Sequence, residues 1–419
     1  MLRSLFLAWC CSAAGLVCAQ TADLDALSLA DQTPEGDEVS TSDWQAYAEL
    51  AQSGVDGRDG QVLHGERRLS FDVRFDRMLS EHWRVVFADR LDVNWREETP
   101  LQTSINTLKE AYVGWKSTED HSIDVGRINV NNGVSLGYNP SDFFKVGAVR
   151  SVVSRDPKQL MQDRQGSVML RGQWFGRGQS LTGLLSPKLE DPPAAPAFGS
   201  SSSLAATNHV QRALLSYSLE VSEGFSPQFL LYQEDGMPLQ LGINATALAN
   251  DATVLFAQWV GGKSQSFYEQ ALKLPGEDRF HDRASAGVTY TTALKLSLTA
   301  ELDFSRNSLS QRDWGQLAQQ DPQKYWLYRA WILEHQEMPT RQGLTLYASW
   351  RDALIKRLDV TGLTRVNLTD NSHFSWIELR YHWDRVDLAL QYQVNAGNPF
   401  TEYGVLPRRA TTVSVRGYF

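Results

Sequence analysis

The chain reads as an all-β protein, a single-chain antiparallel β-barrel that crosses a membrane on about 18 strands (roughly 16–18). Three observations predict this. Apolar and polar residues alternate along segment after segment. Tight and long connections follow one another in turn, as short periplasmic turns and long external loops do in such barrels. The chain also ends on an alternating strand whose last residue is Phe419.

From the N-terminus, residues 1–19 have the layout of a secretory signal peptide. Arg3 supplies the positive charge, Leu5 to Val17 is an apolar run interrupted by Ser12, and Val17-Cys18-Ala19 offers small residues for cleavage near Ala19. Cys18 leaves a lipoprotein reading open, but Gly15-Leu16-Val17 fits a lipobox poorly. All three cysteines (Cys10, Cys11, Cys18) lie in this segment, so the mature chain is expected to carry no thiol, disulfide or Cys-bound metal. Residues 20–43 are acidic, with Asp23, Asp25, Asp31, Glu35, Asp37, Glu38 and Asp43 and no Lys or Arg. They read as a disordered periplasmic leader. The alternatives are a docking peptide for a periplasmic partner or a small plug.

The barrel is expected over residues 44–419. The first strand, near Trp44–Gln52, competes with a helical reading in which Trp44, Tyr47 and Leu50 share one face. Next, Leu69, Phe71, Val73 and Phe75 alternate with Arg68, Ser70, Asp72, Arg74 and Asp76. Trp83, Val85, Phe87, Leu91, Val93 and Trp95 alternate with Arg84, Arg90, Asp92 and Asn94. Further on, Leu298 and Leu302 alternate with Thr299, Glu301 and Asp303, and Leu388 and Leu390 with Asp387 and Gln391. In a soluble sandwich the apolar face would look inward; in a membrane barrel it looks out to lipid. Periodicity cannot separate the two, whereas the signal sequence, the terminal Phe and the loop pattern favour the barrel.

Tight turns fall near Met78–Glu81, Ser117–His121, Gly176–Gln179, Ser222–Phe225, Asn250–Asp251, Thr291–Ala293, Asp352–Leu354 and Trp383–Arg385. Longer connections fall near Gly54–Gln61, Arg96–Ile105, Asn129–Arg164, Pro187–Asn208, Gly261–Phe280, Asn307–Arg341 and Ala396–Pro407. Pro192–Ser203 reads as a mobile surface loop. Asn307–Arg341, with Trp314, Tyr325, Trp326, Tyr328 and Trp331, either folds into the pore or holds an extra strand. In the last strand Val413, Val415 and Phe419 share one face, with Thr412, Ser414, Arg416 and Tyr418 on the other.

Composition removes other classes. A net charge of −9 without a basic block argues against nucleic acid. Aromatic residues make up 11% of the chain, which suits interfacial girdles, and the mean hydropathy of −0.35 fits strands of which only every second residue meets lipid. His121, His209, His281, His335, His373 and His382 are scattered, without a metal-ligand spacing. There is no Gly-x-Ser-x-Gly elbow and no phosphate-binding glycine loop. No catalysis, cofactor or metal is expected.

If the apolar stripes face lipid, the lumen receives Arg68, Asp72, Arg74, Asp76, Arg84, Arg90, Asp92, Glu301, Asp303, Arg351, Asp359, Arg365, Glu378, Arg380, Asp387 and Arg416. The first reading is a set of cross-strand ion pairs bracing the wall, with Asp76 facing Arg84 and Arg68 facing Asp92. The second is a constriction with a transverse field, charges of one sign on one wall and of the other sign opposite.

The most motif-like stretch is Gly126-Arg127, then Gly133-Val-Ser-Leu-Gly137-Tyr138-Asn139-Pro140-Ser141-Asp142-Phe143-Phe144, followed by Arg150 and Arg155-Asp156-Pro157. The glycines break the strand, Asn-Pro starts a turn, and Ser141 or Asp142 is placed to cap a short helix. The segment resembles the "Gly-Arg … Asn-Pro-x-Asp" pattern of alginate-export-type and related porin-like outer-membrane barrels. That resemblance implies a segment folded into the barrel mouth, with Arg127, Asn139 and Asp142 organising a constriction. The dense arginine lining expected of a conduit for a polyanion is missing. The terminal strand likewise resembles the signal read by the barrel assembly machinery, with Gly417 in place of the usual aromatic two positions before the end. These readings lead to the expectation of a Gram-negative outer-membrane channel, porin-like or an export conduit, with membrane lipid and the assembly machinery as partners. The alternative is a structural or partner-docking barrel of a secretion or electron-transfer complex, with the acidic leader as its handle.

Overall fold

A computed structural model describes residues 43–58, 62–96, 104–191 and 204–419. The signal-peptide reading, the acidic leader up to residue 42 and the Pro192–Ser203 loop lie outside the described residues. The strands are β1 (Trp44–Asp56), β2 (Val62–Met78), β3 (Trp83–Arg96), β4 (Ser104–Thr118), β5 (His121–Ile128), β6 (Ser167–Gly176), β7 (Gln179–Ser186), β8 (Arg212–Leu219) and β9 (Phe225–Glu234). They continue as β10 (Gln240–Asn250), β11 (Thr253–Ser264), β12 (Arg279–Thr291), β13 (Leu296–Ser305), β14 (Gln342–Trp350), β15 (Leu358–Asn367), β16 (Ser372–His382), β17 (Val386–Ala396) and β18 (Arg409–Tyr418).

Each strand pairs antiparallel with its sequence neighbours, and β18 pairs with β1, so the 18-stranded sheet closes into a barrel. Closure leaves no edge with unpaired backbone groups, which is what a sheet in a hydrocarbon slab requires. At the seam Tyr47 stands opposite Tyr418, Glu49 opposite Arg416 and Leu50 opposite Val415. The backbone N–H of Phe419 donates to Ala46 O at 3.0 Å and extends the seam to the last residue. Trp44–Gln52 is therefore strand, not helix. Its alternation puts Tyr47 and Glu49 inward, where partners on β2, β3 and β18 hold them.

Burial is inverted relative to a soluble protein. On β13, Leu298 and Leu302 are 44% and 60% exposed while Glu301 and Asp303 are 1% and 6% exposed. The apolar stripes of β2, β3, β16 and β17 face out in the same way, with Phe71, Phe87, Ile377 and Leu390 all exposed. Trp44 packs on Phe75, Trp83 on Trp115 and Tyr381 on Trp383, forming aromatic pairs at the short-turn rim. One departure is Asp89, which lies among the outward residues of β3; its Oδ2 accepts from Asn106 Nδ2 at 2.8 Å, while its Oδ1 is buried without a hydrogen-bond partner.

The inward face is not uniformly polar, contrary to expectation. Val86, Tyr112, Met169, Leu184, Leu214, Leu230, Tyr232 and Val260, from β3 to β11, form a buried apolar cluster inside the barrel. Phe143 and Phe144, from the long connection after β5, complete it.

Two connections at the long-loop rim are short, residues 235–239 and 368–371, and neither was anticipated. Tyr232 and Gln240 flank the first as paired strand residues, so the hairpin carries no long-loop signature. The connection after β13 adds no strand. It holds two helices, α3 (Gln311–Gln320) and α4 (Pro322–His335), which follow α1 (Pro157–Gln162) and α2 (Phe267–Ala271). Ser310 caps α3 by accepting from Asp313 N. Asp321 ends α3 and caps α4, with Pro322 in its first turn. Trp314, Leu317, Tyr325, Tyr328 and Ile332 interlock with Phe267 of α2 in one aromatic cluster. That packing is why a segment rich in strand-forming aromatics folds as a helical hairpin.

Candidate constriction and vestibule

Residues 129–166 leave β5, cross the barrel interior and return to β6. Their path is set at the root by Arg127, 4% exposed, which donates to Gly166 O at 2.6 Å and to Thr207 Oγ1 at 3.2 Å. Inside the loop Arg164 donates to Asp142 Oδ2 at 2.5 Å, to Val130 O at 3.0 Å and to Asn131 Oδ1. Asn139 Oδ1 accepts from Ser141 N at 3.2 Å, closing a turn rather than starting a helix. The only helix of this loop, α1, begins later, capped by Asp156 with Pro157 in its first turn. Ser141 and Asp142 are thus not helix caps. Asp142, 4% exposed, is the buried counter-charge of Arg164.

The tip of the loop is fastened to the opposite wall. Glu301 on β13 accepts three backbone N–H bonds, from Leu136 at 2.8 Å and from Gly137 and Tyr138 at 2.9 Å each. Arg365 on β15 donates to Leu136 O at 3.1 Å, and Ser135 meets Ser285 of β12 at 3.0 Å. A Cβ on Gly137 would fall on the Thr345 side chain and the Glu301 carboxylate, so only glycine allows this approach. Farther along, Asp156 accepts from Tyr347 Oη at 3.3 Å, and Arg155 donates to Gln393 at 3.1 Å. The loop therefore bridges the lumen, with one side against the apolar cluster and the tip on β12, β13 and β15.

The charged wall under the loop root is a closed network. Arg90, 1% exposed, donates to Asp92 at 3.0 Å and to Tyr47 Oη at 2.7 Å, and lies 3.6 Å from Asp163 of the inner loop. Arg68 and Arg416 reach Glu49 at 2.6 and 2.8 Å, and Lys109 reaches Asp72 at 2.7 Å. Arg68, Arg90, Lys109 and Arg416 balance Glu49, Asp72, Asp92 and Asp163, so this wall carries little net field. Lys109 joins because a register shift between β3 and β4 turns both it and Glu110 inward. No regular alternation would have found it.

The expected cross-strand register is off by two. Asp76 stands opposite Val86 and Arg68 opposite Asn94. Arg84 reaches Asp76 diagonally, with its Nε and Nη2 2.7 and 2.6 Å from the two carboxylate oxygens, and Arg74 joins Glu110 at 2.9 Å. Arg68 lies 4.0 Å from Asp92 and binds Glu49 instead. Farther round the wall, on β13 to β17, Glu378 pairs with Arg380 at 2.9 Å, His382 sits between Asp359 and Asp387, and Thr345 reaches Asp303 at 3.4 Å. Arg351 is not in a strand; it follows β14 in the turn to β15, at the rim opposite the long loops. Val413, Val415 and Phe419 lie on the outward face, 45%, 44% and 87% exposed, while Tyr418 turns in to Asp387 at 2.6 Å.

Above the inner loop, toward the long-loop rim, lies a cavity of about 460 Å³. Lys145, Arg212, Arg283, Glu234, Glu337 and the stacked Phe143–Tyr232 pair are among its lining. Glu337 lies 2.9 Å from Lys145 and 2.9 Å from Arg283, and accepts from Tyr138 Oη at 2.5 Å. Burial pushes the Lys145 ammonium below its ordinary value while Glu337 pulls the other way. Burial raises the Glu337 carboxyl, but Lys145 and Arg283 outweigh it and hold the group below the usual range. Sequence reasoning missed this cluster, because residues 145, 283 and 337 are brought together only by the folding of two loops onto the wall.

Solved structures share this architecture. Acinetobacter baumannii OccAB1 is similar with a TM-score of 0.55 at 9% identity, covering 90% of this chain and 96% of that one. Pseudomonas aeruginosa OccK2 (OpdF) gives 0.55 at 11% identity and OccK5 (OpdH) 0.54 at 10%, each over 90% of this chain and 98% of theirs. These are outer-membrane porins. The chain has the porin fold. No protein-family model and no curated protein matches the chain. Among the described residues of this porin-fold barrel, no cluster of His, Cys, Asp and Glu is arranged to hold a metal ion.

Proposed function

We propose that the barrel sits in the outer membrane of a Gram-negative bacterium and passes small polar solutes through its lumen without catalysis. The observation that carries this reading is the inner loop, residues 129–166, held across a barrel whose outer wall is apolar and whose lumen is lined in part by charge. The apolar wall matches a hydrocarbon slab, and a bridging loop narrows the lumen to a size filter. The porin fold of the structural neighbours supports the same reading. The long loops then face the cell exterior and the short turns the periplasm. Val413, Val415 and Phe419 would be presented to the assembly machinery, and the acidic residues 20–43 to the periplasm.

The test is single-channel conductance of the refolded chain from Gln20 to Phe419 in planar bilayers, with and without residues 307–341. We expect steady ohmic steps from the full barrel and larger steps after the deletion, because α3 and α4 stand over the vestibule. A heat-modifiable, folded barrel that stays silent in both forms would sink the channel reading and favour a structural or partner-docking barrel.

A further inference from the structure

The short-turn rim is divided by charge. Its first five turns, from β2–β3 to β10–β11, carry Glu81, Glu119, Asp120, Glu220, Glu223 and Asp251, with Arg177 as their one arginine or lysine among the described residues. The next three turns reverse the balance. Lys295 in β12–β13, Arg351, Lys356 and Arg357 in β14–β15, and Arg385 in β16–β17 outnumber Asp352 and Asp384. Lys295 is bound to Asp352 at 3.0 Å and Arg357 to Asp384 at 2.9 Å. Asp359 and Asp387, just above these turns, are held by His382. Arg351, Lys356 and Arg385 have no ion pair among the described residues, so this sector keeps three cations without a counter-charge in contact.

The same sector holds apolar side chains out from the end of the barrel. Leu294 is 73% exposed, Leu354 83% and Ile355 56%. Their two turns are neighbours, tied by Lys295 and Asp352 and by Arg351 N, which donates to Lys295 O at 3.2 Å. The β14–β15 turn sets Asp352, Leu354 and Arg357 in the left-handed region, at φ 52°, 62° and 69°, without a glycine. A leucine is disfavoured there. Single exposed leucines are ordinary, but a backbone strained to present one, beside two more apolar side chains, does nothing for the turn itself.

Asp43, the first described residue, stands at this rim. Its carbonyl accepts from Asp76 N at 3.0 Å and its carboxylate lies 3.3 Å from Arg77. The segment that runs into it, residues 20–42, carries Asp23, Asp25, Asp31, Glu35, Asp37 and Glu38, no Lys or Arg, and the leucines Leu24, Leu27 and Leu29. We propose that this segment docks on its own barrel, along the basic sector of the short-turn rim, with carboxylates on Lys356 and Arg385 and leucines on Leu294, Leu354 and Ile355. Length allows it. Neighbouring strands are about 6 Å apart along a rim that they cross at a tilt of about 40°. By way of β18, the β16–β17 turn is then roughly 12–18 Å from β1, and the β12–β13 turn roughly 40 Å. Glu35, Asp37 and Glu38 precede Asp43 by five to eight residues and reach about 17–26 Å; Leu24 to Leu29 precede it by 14 to 19 and reach about 45–60 Å. The other way round the rim is within reach too, but there the acidic segment would meet acidic turns. Exposed ion pairs are individually weak. A tethered segment, however, meets its site at an effective concentration on the order of millimolar, so a few such pairs and one apolar contact suffice. The leader is thus a strap of the barrel itself and not a handle for a second protein.

The docking goes beyond the channel reading and is tested without conductance. All three cysteines lie in residues 1–19, so the chain from Gln20 to Phe419 takes thiol labels only where a cysteine is introduced. Ser28→Cys is spin-labelled together with Ala293→Cys in the basic sector, or with Ser222→Cys in the β8–β9 turn. Pair distances are read by pulsed electron paramagnetic resonance on the refolded barrel in phosphatidylcholine vesicles, and heat-modifiability on gels shows that each variant is folded. We expect a narrow, short distribution between positions 28 and 293 and a longer one between 28 and 222. Lys356→Glu combined with Arg385→Glu should erase the narrow population, and Leu354→Ser should reduce it severalfold. Broad distributions alike for both pairs, or a narrow, short one to position 222, overturn the proposal. So does a narrow population at position 293 that survives both the charge reversals and Leu354→Ser. Ordering that is lost when phosphatidylglycerol replaces part of the lipid gives the sector to lipid phosphates and overturns the proposal as well.

Discussion

Gly137 shows how one residue decides the interior. Its backbone lies so close to β13 and β14 that any side chain would strike Thr345 and Glu301. Gly137→Ala is expected to cost about 1–3 kcal/mol through forced displacement of the loop tip. A lower heat-unfolding midpoint on gels and noisier single-channel current would show it; an unchanged barrel would mean the tip does not dock as described. Glu301→Gln keeps the shape but replaces one carboxylate oxygen by an amide NH2, so one or two of the three N–H groups of residues 136–138 lose their acceptor and the charge that held all three is gone. Release of the tip should then raise conductance. At this scale the sequence was partly readable. Glycine and Asn-Pro marked a break and a turn, and Arg127, Asn139 and Asp142 make hydrogen bonds or an ion pair at the root of the inner loop and within it. Their partners were not readable, since Gly166, Thr207 and Arg164 are set by where the loop folds back.

Among the elements, the loops diverge most from expectation. Aromatic density in residues 307–341 left a strand and a pore-folding loop open. The outcome is a helical hairpin, because Trp314, Tyr325 and Tyr328 find an apolar partner in α2 and not along a sheet edge. The loop of residues 397–408 is tied to this hairpin, with Arg329 donating to Glu402 O at 3.0 Å and Asn367 to the Glu402 carboxylate at 2.8 Å. Burial pushes that carboxyl from 4.5 up to about 6. The folded state therefore binds more protons than the unfolded chain between those values. The associated stability is complete below about pH 4.5 and is lost as pH rises through about 6, a change of at most about 2 kcal/mol. We expect the heat resistance of the external loops, followed by protease nicking, to be higher at pH 4.5 than at pH 7. Glu402→Gln should abolish much of that difference by keeping the site neutral throughout.

For the whole molecule, the outer wall carries the argument. Leu346, 44% exposed in the middle of β14, stands beside Ala300 and Thr364. In a water-soluble barrel Leu346→Arg would be nearly neutral. In a bilayer it should destabilise the barrel by about 2–4 kcal/mol. Urea titration of the refolded protein in lipid vesicles separates the two, and a neutral outcome would contradict the membrane assignment. The same inversion explains a composition that passes for a soluble protein: half of each strand serves the lumen, and the long loops serve water.

The sequence by itself determined the strand ladder, the alternation of faces, the closing strand ending at Phe419 and a barrel of about this size, because period-two patterning and turn residues act over a few positions. Only the tertiary structure decided which inward residues stay charged and which become an apolar bed for Phe143 and Phe144. It also decided the two-residue offset between β2 and β3, the bulge that turns Lys109 inward, and the meeting of Lys145, Arg283 and Glu337. These depend on contacts between residues far apart in the chain. Register, loop docking and charge pairing are settled jointly by packing and desolvation across the lumen, and no local pattern in the chain records them.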